Sequence, residues 1–392
     1  MTGKTTRHTF RMVAKTLYGL EDILAAELRE LGATDINPMN RSVEFAGDLR
    51  VMYAANVYCR TAIRVLQPIR TFRCADGDRL YREVRAVEWG RFLDPAMTIA
   101  VDAVVSHSGI DNSLFAAQRV KDAVVDQIRE GTGRRPSVDL IHPDLRINLH
   151  LHENHATIAL DSSGESLHRR GYRTEAGKAP INEVLAAGII VLSGWDMALP
   201  LVDGMCGSGT FVIEAALMAR RIAPGLIRRQ FGFQRMKDYN RTLYDKVIAE
   251  ARGRVRKEMP CRIFGSDSDG AVLKEARANA KRAGVDHDIV FEQKDFAVQN
   301  PPAGPGVLIM NPPYGERLAV RDIEALYRMI GDTLKAKYRD YTAFLFTGNL
   351  AAMKSVGLRT SRRITLYNGP LESRLLRYEM YQGSRKQKNL PE

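Results

Sequence analysis

Short apolar runs and helix-spaced ones alternate along the first 165 residues. Phe10–Ala14 is compact and apolar enough for a strand, and Leu20, Ile23, Leu24, Leu28 and Leu31 then recur at helical spacing until Gly32 stops the pattern. Val43–Phe45 predicts a strand before a helix through Val51, Ala55 and Ala62. Thr98–Val105 predicts another strand, Ser113–Glu130 a helix with Val120, Val124 and Ile128 on one face, and Arg146–Leu151 with Ala156–Asp161 a β-hairpin. This is the order of α+β or split βαβ units, with no evident active site.

From about Gly171 the pattern changes to strand–loop–helix alternation, which predicts a parallel sheet covered by helices. Pro180–Val191, Thr210–Ala219, Ala271–Ala283 and Ile323–Tyr338 are the helices. Leu199–Val202, Arg262–Gly265, Ile289–Phe291, Val307–Met310 and Thr342–Phe346 are the strands, and Ile364–Tyr367 and Leu375–Tyr381 close the pattern as a hairpin around Asn368-Gly369. Only the tail Ser384–Glu392 reads as unstructured.

Composition bounds the class. The 392 residues are 45% hydrophobic and 27% charged, a globular composition that excludes disordered, collagen-like and coiled-coil chains. At about 100–200 residues per domain, two or three domains are expected. Lys and Arg number 58 against 46 Asp and Glu, a formal +12 with a pI near 9.6, which suggests a polyanionic partner. Residues 1–165 are nearly neutral, 21 basic against 22 acidic, and residues 166–392 carry 37 against 24. That break supports a boundary near the Asp161-Ser-Ser-Gly-Glu165 turn. The uncharged stretch Val184–Trp195 is about 12 residues, too short to span a bilayer. No signal-peptide segment opens the chain, which points to the cytoplasm. Cys59, Cys74, Cys206 and Cys261 form no CxxC pair, and the histidines have no metal-site spacing, so no metal site is expected.

Four constellations can carry chemistry. Asp203-Gly-Met-Cys-Gly-Ser-Gly-Thr210 lies between a strand and a helix, where Gly204, Gly207 and Gly209 let a ligand approach the backbone. No lysine precedes the Ser or Thr as a phosphate loop requires, and structural glycines in a tight turn are the alternative. Asp267 ends the next strand, where a carboxylate can accept both ribose hydroxyls of an adenosine cofactor, although Asp267 or Asp269 could simply cap the helix at Ala271. Asp295 could bind an adenine amino group and Phe296 pack on its ring. Asn311-Pro-Pro-Tyr314 follows Val307–Met310 at the carboxyl edge of the sheet. There the Asn311 side-chain carbonyl and the Pro312 carbonyl can accept the N–H bonds of an exocyclic amine and draw out its lone pair. Pro312 and Pro313 stiffen the loop, and Tyr314 can stack on a planar base taken out of its helix.

These segments, with Leu167-His-Arg-Arg-Gly-Tyr-Arg173, Ala179-Pro180, Gly19-Leu-Glu21, Phe45-Ala-Gly-Asp48 and Asn368-Gly-Pro-Leu371, resemble the RlmL-type family of THUMP-containing 23S rRNA guanine-N2 methyltransferases over almost the whole chain. The resemblance implies an α/β fold. A ferredoxin-like region (1–50) and a THUMP RNA-binding domain (51–162) precede a Rossmann-like class I methyltransferase sheet with a C-terminal antiparallel hairpin (163–383), and 384–392 form a tail. It implies S-adenosylmethionine as cofactor, held by Pro180, Asp203, Gly204, Cys206, Gly207, Gly209, Thr210, Asp267, Asp295 and Phe296. Asn311, Pro312, Pro313 and Tyr314 would receive the target guanine. Gly204 stands where this family is expected to have proline. The chain ends where some relatives continue into a second methyltransferase domain, so that second activity is expected to be absent.

The interval from Asp203 to Asp267 exceeds the usual spacing of about 20 residues, so it holds an insertion. Between Arg220 and Lys257 there are 12 basic and three acidic residues, interleaved with Phe231, Phe233, Tyr239 and Tyr244. Cations among stacking aromatics suit single-stranded or distorted RNA, so this stretch is expected to clamp RNA beside the catalytic pocket. Further RNA contacts are expected from local patches such as Arg60, Arg64, Arg70, Arg73, Arg79, Arg82 and Arg85 in the nearly neutral first part. The expected substrate is 23S rRNA or a large-subunit assembly intermediate. A tRNA guanine-N2 methyltransferase and a non-enzymatic ribosome-assembly factor are the alternatives.

Overall fold

Met12 and Ala14 alternate with less buried neighbours, which turns one face of the first strand into a core. The computed structural model describes residues 9–173, 181–313 and 320–381. Two compact units emerge, Met1–Arg170 with Ala223–Gly253, and Gly171–Ile222 with Arg254–Glu392. Pro180, Tyr314 and the tail lie outside the described residues.

The first unit begins β1 (Phe10–Lys15), α1 (Glu21–Glu30), β2 (Thr34–Met39), β3 (Ser42–Gly47), α2 (Leu49–Tyr58) and β4 (Arg64–Arg73). It continues α3 (Gly77–Arg85), β5 (Thr98–Ser106), α4 (Ser113–Thr132), β6 (Ser137–Val138), β7 (Leu145–His152) and β8 (His155–Asp161). The eight strands form one sheet in the order β2-β3-β1-β4-β8-β7-β5-β6. Periodicity missed β2 because it is an edge strand with almost no buried residue. It also missed β4, which joins the two halves of the sheet, because arginines and Pro68 interrupt its apolar pattern and a register shift falls between Pro68 and Arg70. The second predicted helix stops at Tyr58, short of Ala62. Glu27 explains this, since its buried carboxylate accepts the backbone N–H of Arg60 at 2.8 Å and of Thr61 at 3.1 Å, pulling the chain into a turn.

The chain then enters the second unit with α5 (Glu183–Leu192), β9 (Leu201–Asp203) and α6 (Thr210–Ala219). Asn182 caps α5 by accepting the N–H groups of Val184 and Leu185. The segment Ala223–Gly253, with α7 (Arg241–Gly253), belongs to the first unit. The second unit resumes with β10 (Ile263–Asp267), α8 (Gly270–Ala283), β11 (Ile289–Gln293), β12 (Gly306–Met310), α9 (Val320–Lys337), β13 (Tyr341–Thr347), β14 (Arg362–Asn368) and β15 (Leu371–Glu379). Its strand order is β11-β10-β9-β12-β13-β15-β14, parallel from β11 to β13 and antiparallel at the final hairpin. All five residues of β12 are buried, as a strand covered on both faces requires. The winding reverses between β9 and β12, and that reversal opens a crevice at their carboxyl ends. Among the described residues no helix is long and apolar enough to cross a membrane.

Candidate active site at the carboxyl edge of the parallel sheet

Sheet register brings the separate motifs to one edge. Asp203 pairs with Gly265, and Val202 pairs with Leu308, so Asp203, Gly265 and Ile309 lie at one level. Asp267 and Asn311 each follow two residues beyond that level. The crevice between β9 and β12 is thus edged by Asp203, Asp267 and Asn311, residues spread over more than 100 positions of sequence.

The glycine loop is pinned peptide by peptide. The Cys206 N–H donates to the Ser266 carbonyl at 2.9 Å, the Gly209 N–H to the Cys206 carbonyl at 2.8 Å, and the Gly207 N–H to Asp267 Oδ2 at 2.9 Å. Gly209 initiates α6 at φ +85°, and a Cβ there would meet Ala276 of α8 at 3.1 Å. A side chain at this position would strain the backbone and press on α8, so glycine is required. A Cβ at Gly207 would meet nothing within 4 Å among the described residues, so there the loop presents open backbone. Thr210 is buried, and its hydroxyl accepts a hydrogen bond from Arg173.

Asp203 is buried and accepts the Met205 N–H at 3.2 Å. Burial, with the Asp267 charge nearby, holds its carboxyl well above the ordinary range. A cationic ligand group would lower it again. Asp267 and Asp269 have separate roles. Asp269 caps α8 through the N–H groups of Ala271 and Val272, whereas Asp267 accepts one backbone N–H on each oxygen and keeps further acceptor capacity. The exposed Asp295 caps the turn that follows it by accepting the Ala297 N–H at 2.8 Å. Phe296 does not offer its ring to a ligand. It is buried beneath Gly204 and packs on Tyr338 with centroids 5.4 Å apart, so its ring supports the loop from below. Burial raises the Cys206 thiol well above its ordinary value, which suits a packing role.

Asn311 stands at the edge of β12 with its Oδ1 buried and without a hydrogen-bond partner among the described residues. A buried acceptor left unmade costs about 1–3 kcal/mol. Pro312 is buried and Pro313 exposed. Residues that periodicity missed stand behind the loop. Asn279 on α8 donates to the Ser208 carbonyl at 3.0 Å, and Gln299 accepts the Ser266 hydroxyl at 2.8 Å. The signal for Asn279 was present as a polar residue beside the apolar face Leu273, Ala276, Ala280 and Ala283.

The segment expected to clamp RNA is packed otherwise. Phe233 stacks on Tyr53 of α2 with centroids 4.4 Å apart and on Phe231 at 5.2 Å, with Tyr239 and Tyr244 against the same rings. Phe231 and Phe233 are buried in the first unit's core, and Tyr239 and Tyr244 are half-buried against it, so the two phenylalanine rings are not displayed for base stacking. Arg228 donates to the carbonyls of Glu165, Ser166 and Arg169, and burial lowers its pKa to about 10. Arg235 pairs with Asp144 at 2.7 Å, Lys237 with Asp94 at 2.6 Å, and Arg220 with Asp288 at 2.8 Å. Exposed cations remain at Arg229, Lys246 and Arg252. The arginine patch of the first part is also largely engaged. Arg64 pairs with Asp161, Arg70 with Glu83 and Arg85 with Glu130, and Arg73 donates to His155.

A family model described as the RMKL-like methyltransferase domain matches residues 170–377, more than half of the chain and the whole of this crevice. The chain belongs to the RMKL-like methyltransferase family. Models of a THUMP domain (74–161) and an RlmL ferredoxin-like domain (11–66) match the residues before it. Among relatives of this methyltransferase, a protein of Synechocystis sp. named "Putative RNA methyltransferase" is 42% identical over 378 residues, covering 96% of this chain and 98% of that one. The ribosomal RNA large subunit methyltransferase K/L of Syntrophotalea carbinolica is 44% identical over 374 residues, covering 92% of this chain and 52% of that protein. The chain therefore spans about half the length of that larger relative. A crystal structure of a "putative methyltransferase complexed with SAH" superposes with a TM-score of 0.86 at 31% identity, covering 96% of this chain and 99% of that one.

Proposed function

We propose that this RMKL-like methyltransferase methylates the exocyclic N2 of a guanine in 23S rRNA, acting in the cytoplasm on the RNA or on a large-subunit assembly intermediate. The cofactor is S-adenosylmethionine. The residues present fit it, since the open backbone at Gly207 admits a ligand and Asp267 keeps acceptor capacity for ribose hydroxyls. Asp203 and the glycine loop would hold the methionine end, and Asp267 and Asp295 the adenosine.

The observation that carries the reading is the Asn311 Oδ1 at the edge of β12, buried and without a hydrogen-bond partner among the described residues. An aromatic amine has its lone pair delocalised into the ring. An acceptor at Asn311 Oδ1, with the Pro312 carbonyl as a second, fixes both N–H bonds and localises that pair away from them. The rigid prolines hold this geometry without further entropy loss. The cofactor, when bound, supplies a sulfonium methyl that passes to N2 as the carbon–sulfur bond breaks, and the surplus proton leaves to water. No general base is needed, because the proton lost from the methylated, cationic nitrogen is strongly acidic. The THUMP match and the rRNA methyltransferase relatives support RNA, and large-subunit RNA in particular, as the substrate.

The test is methylation of rRNA and tRNA fragments in parallel with radiolabelled cofactor, followed by mass-spectrometric identification of the nucleoside. N2-methylguanosine in the 23S fragments alone supports the reading. Label in tRNA would move the substrate, a different modified base would move the chemistry, and binding without label would indicate an assembly factor.

A further inference from the structure

Behind the crevice lies a chain of polar side chains, running from the buried Asn279 out to the exposed Arg282, that the proposed chemistry leaves unused. Asn279 is 1% exposed, yet donates from Nδ2 to the Ser208 carbonyl at 3.0 Å. Its Oδ1 accepts Arg282 Nη2 at 2.5 Å, and Arg282 Nε donates to the Tyr172 carbonyl at 2.6 Å. The Tyr172 hydroxyl donates to Glu214 of α6 at 3.3 Å. Arg173, the next residue, donates to Thr210 Oγ1 and pairs with Glu183 at 3.0 Å. The loop residues on both sides of Gly209 are therefore held, Ser208 through α8 and Thr210 through the strap Tyr172–Arg173.

Only one orientation of the Asn279 amide satisfies both neighbours, because a carbonyl needs a donor and a guanidinium an acceptor. The buried end of this network resists breakage, since a Ser208 carbonyl that loses Asn279 is left unsatisfied. Gly209 has no side-chain cap on α6 and sits in the left-handed region, so beyond its backbone bond to Cys206 the turn into α6 depends on its neighbours for support. We infer that Asn279 and Arg282 are positioning residues for the cofactor: with the Tyr172–Arg173 strap they hold the glycine loop in the form that receives S-adenosylmethionine. The inference rests on the cofactor reading above and adds residues that reach the loop from α8.

Calorimetric titration with S-adenosylhomocysteine tests it in the full chain. Asn279→Leu, close in volume, should raise the Kd about tenfold, the worth of one buried hydrogen bond with an abandoned carbonyl. Arg282→Met should raise it about threefold, and because that side chain is exposed the variant keeps its fold and decides the matter if Asn279→Leu does not fold. At saturating cofactor both variants should keep turnover within about twofold, since a loop restraint acts on binding more than on the bound reacting geometry. Leu334→Ala, a core change in the same unit, should lower the melting temperature without moving this Kd. Wild-type Kd values in folded Asn279→Leu and Arg282→Met would overturn the positioning role, as would an equal rise in Leu334→Ala at equal loss of stability. Failure of the wild-type chain to bind S-adenosylhomocysteine would overturn the cofactor reading itself, and this inference with it.

Discussion

Replacing Gly204 with alanine places a single methyl group where the structure has a phenylalanine ring. The added Cβ would lie 2.8 Å from Phe296 Cε2 and 2.3 Å from Cδ2, the latter more than an ångström inside ordinary carbon contact of about 3.5–4.0 Å. Phe296 is 2% exposed and rests on Tyr338, so it has nowhere to retreat. Overpacking of this sort costs about 1–3 kcal/mol, and the smaller entropy of the unfolded alanine chain offsets about 0.4–1 kcal/mol of it. A net loss of about 1–2 kcal/mol corresponds to a fall of roughly 3–6 °C in the melting temperature of a unit of this size. Phe296→Leu alone should cost about 1–1.5 kcal/mol through lost packing. In the double variant the clash is gone, so the two losses should fall short of additive by about 1–2 kcal/mol. Differential scanning calorimetry of the four proteins measures this cycle. An unchanged melting temperature in Gly204→Ala, or strict additivity in the double variant, would refute the packing argument. The same contact accounts for glycine at the position where proline was expected, because the ring of Phe296 occupies the space that a proline side chain would need.

Three further outcomes are expected. Asn311→Ala should keep S-adenosylhomocysteine affinity within about twofold and lower turnover about 10²–10³-fold, the usual loss for one acceptor or donor acting at the reacting group; near-full turnover in a single-turnover assay would remove its role. His168 is held down to about 4 from its ordinary 6.5 by burial and the guanidinium groups of Arg169, Arg170 and Arg228. The unfolded chain then takes up a proton before the folded one does, so stability present above 6.5 is lost as pH falls toward 4, and His168→Asn should flatten that part of the pH–melting curve. Reversing the exposed Arg229, Lys246 and Arg252 to glutamate should make the salt dependence of RNA binding shallower by about 2 in log–log slope if each meets a phosphate. An unchanged slope would remove these three cations from RNA binding.

The patterning of Thr210–Ala219, Ala271–Ala283 and Val307–Met310 was enough to predict a helix-covered parallel sheet, because strands and helices buried on regular faces leave their period in the residue order. The same alternation placed Asp203, Asp267 and Asn311 at strand ends. Strands β2 and β4 were invisible, since an edge strand buries little and the central β4 is broken by proline and arginine. The sequence by itself thus determined the sheet class and the three polar positions that edge its crevice. Tertiary structure alone decided that Phe296 turns into the core, that Asn279 reaches the glycine loop, and that Phe233, Tyr239 and Tyr244 pack on Tyr53 with Phe231 stacked on Phe233. An aromatic residue among arginines has the same composition whether it is displayed or buried. Which of these it becomes depends on the surface that the rest of the chain brings against it.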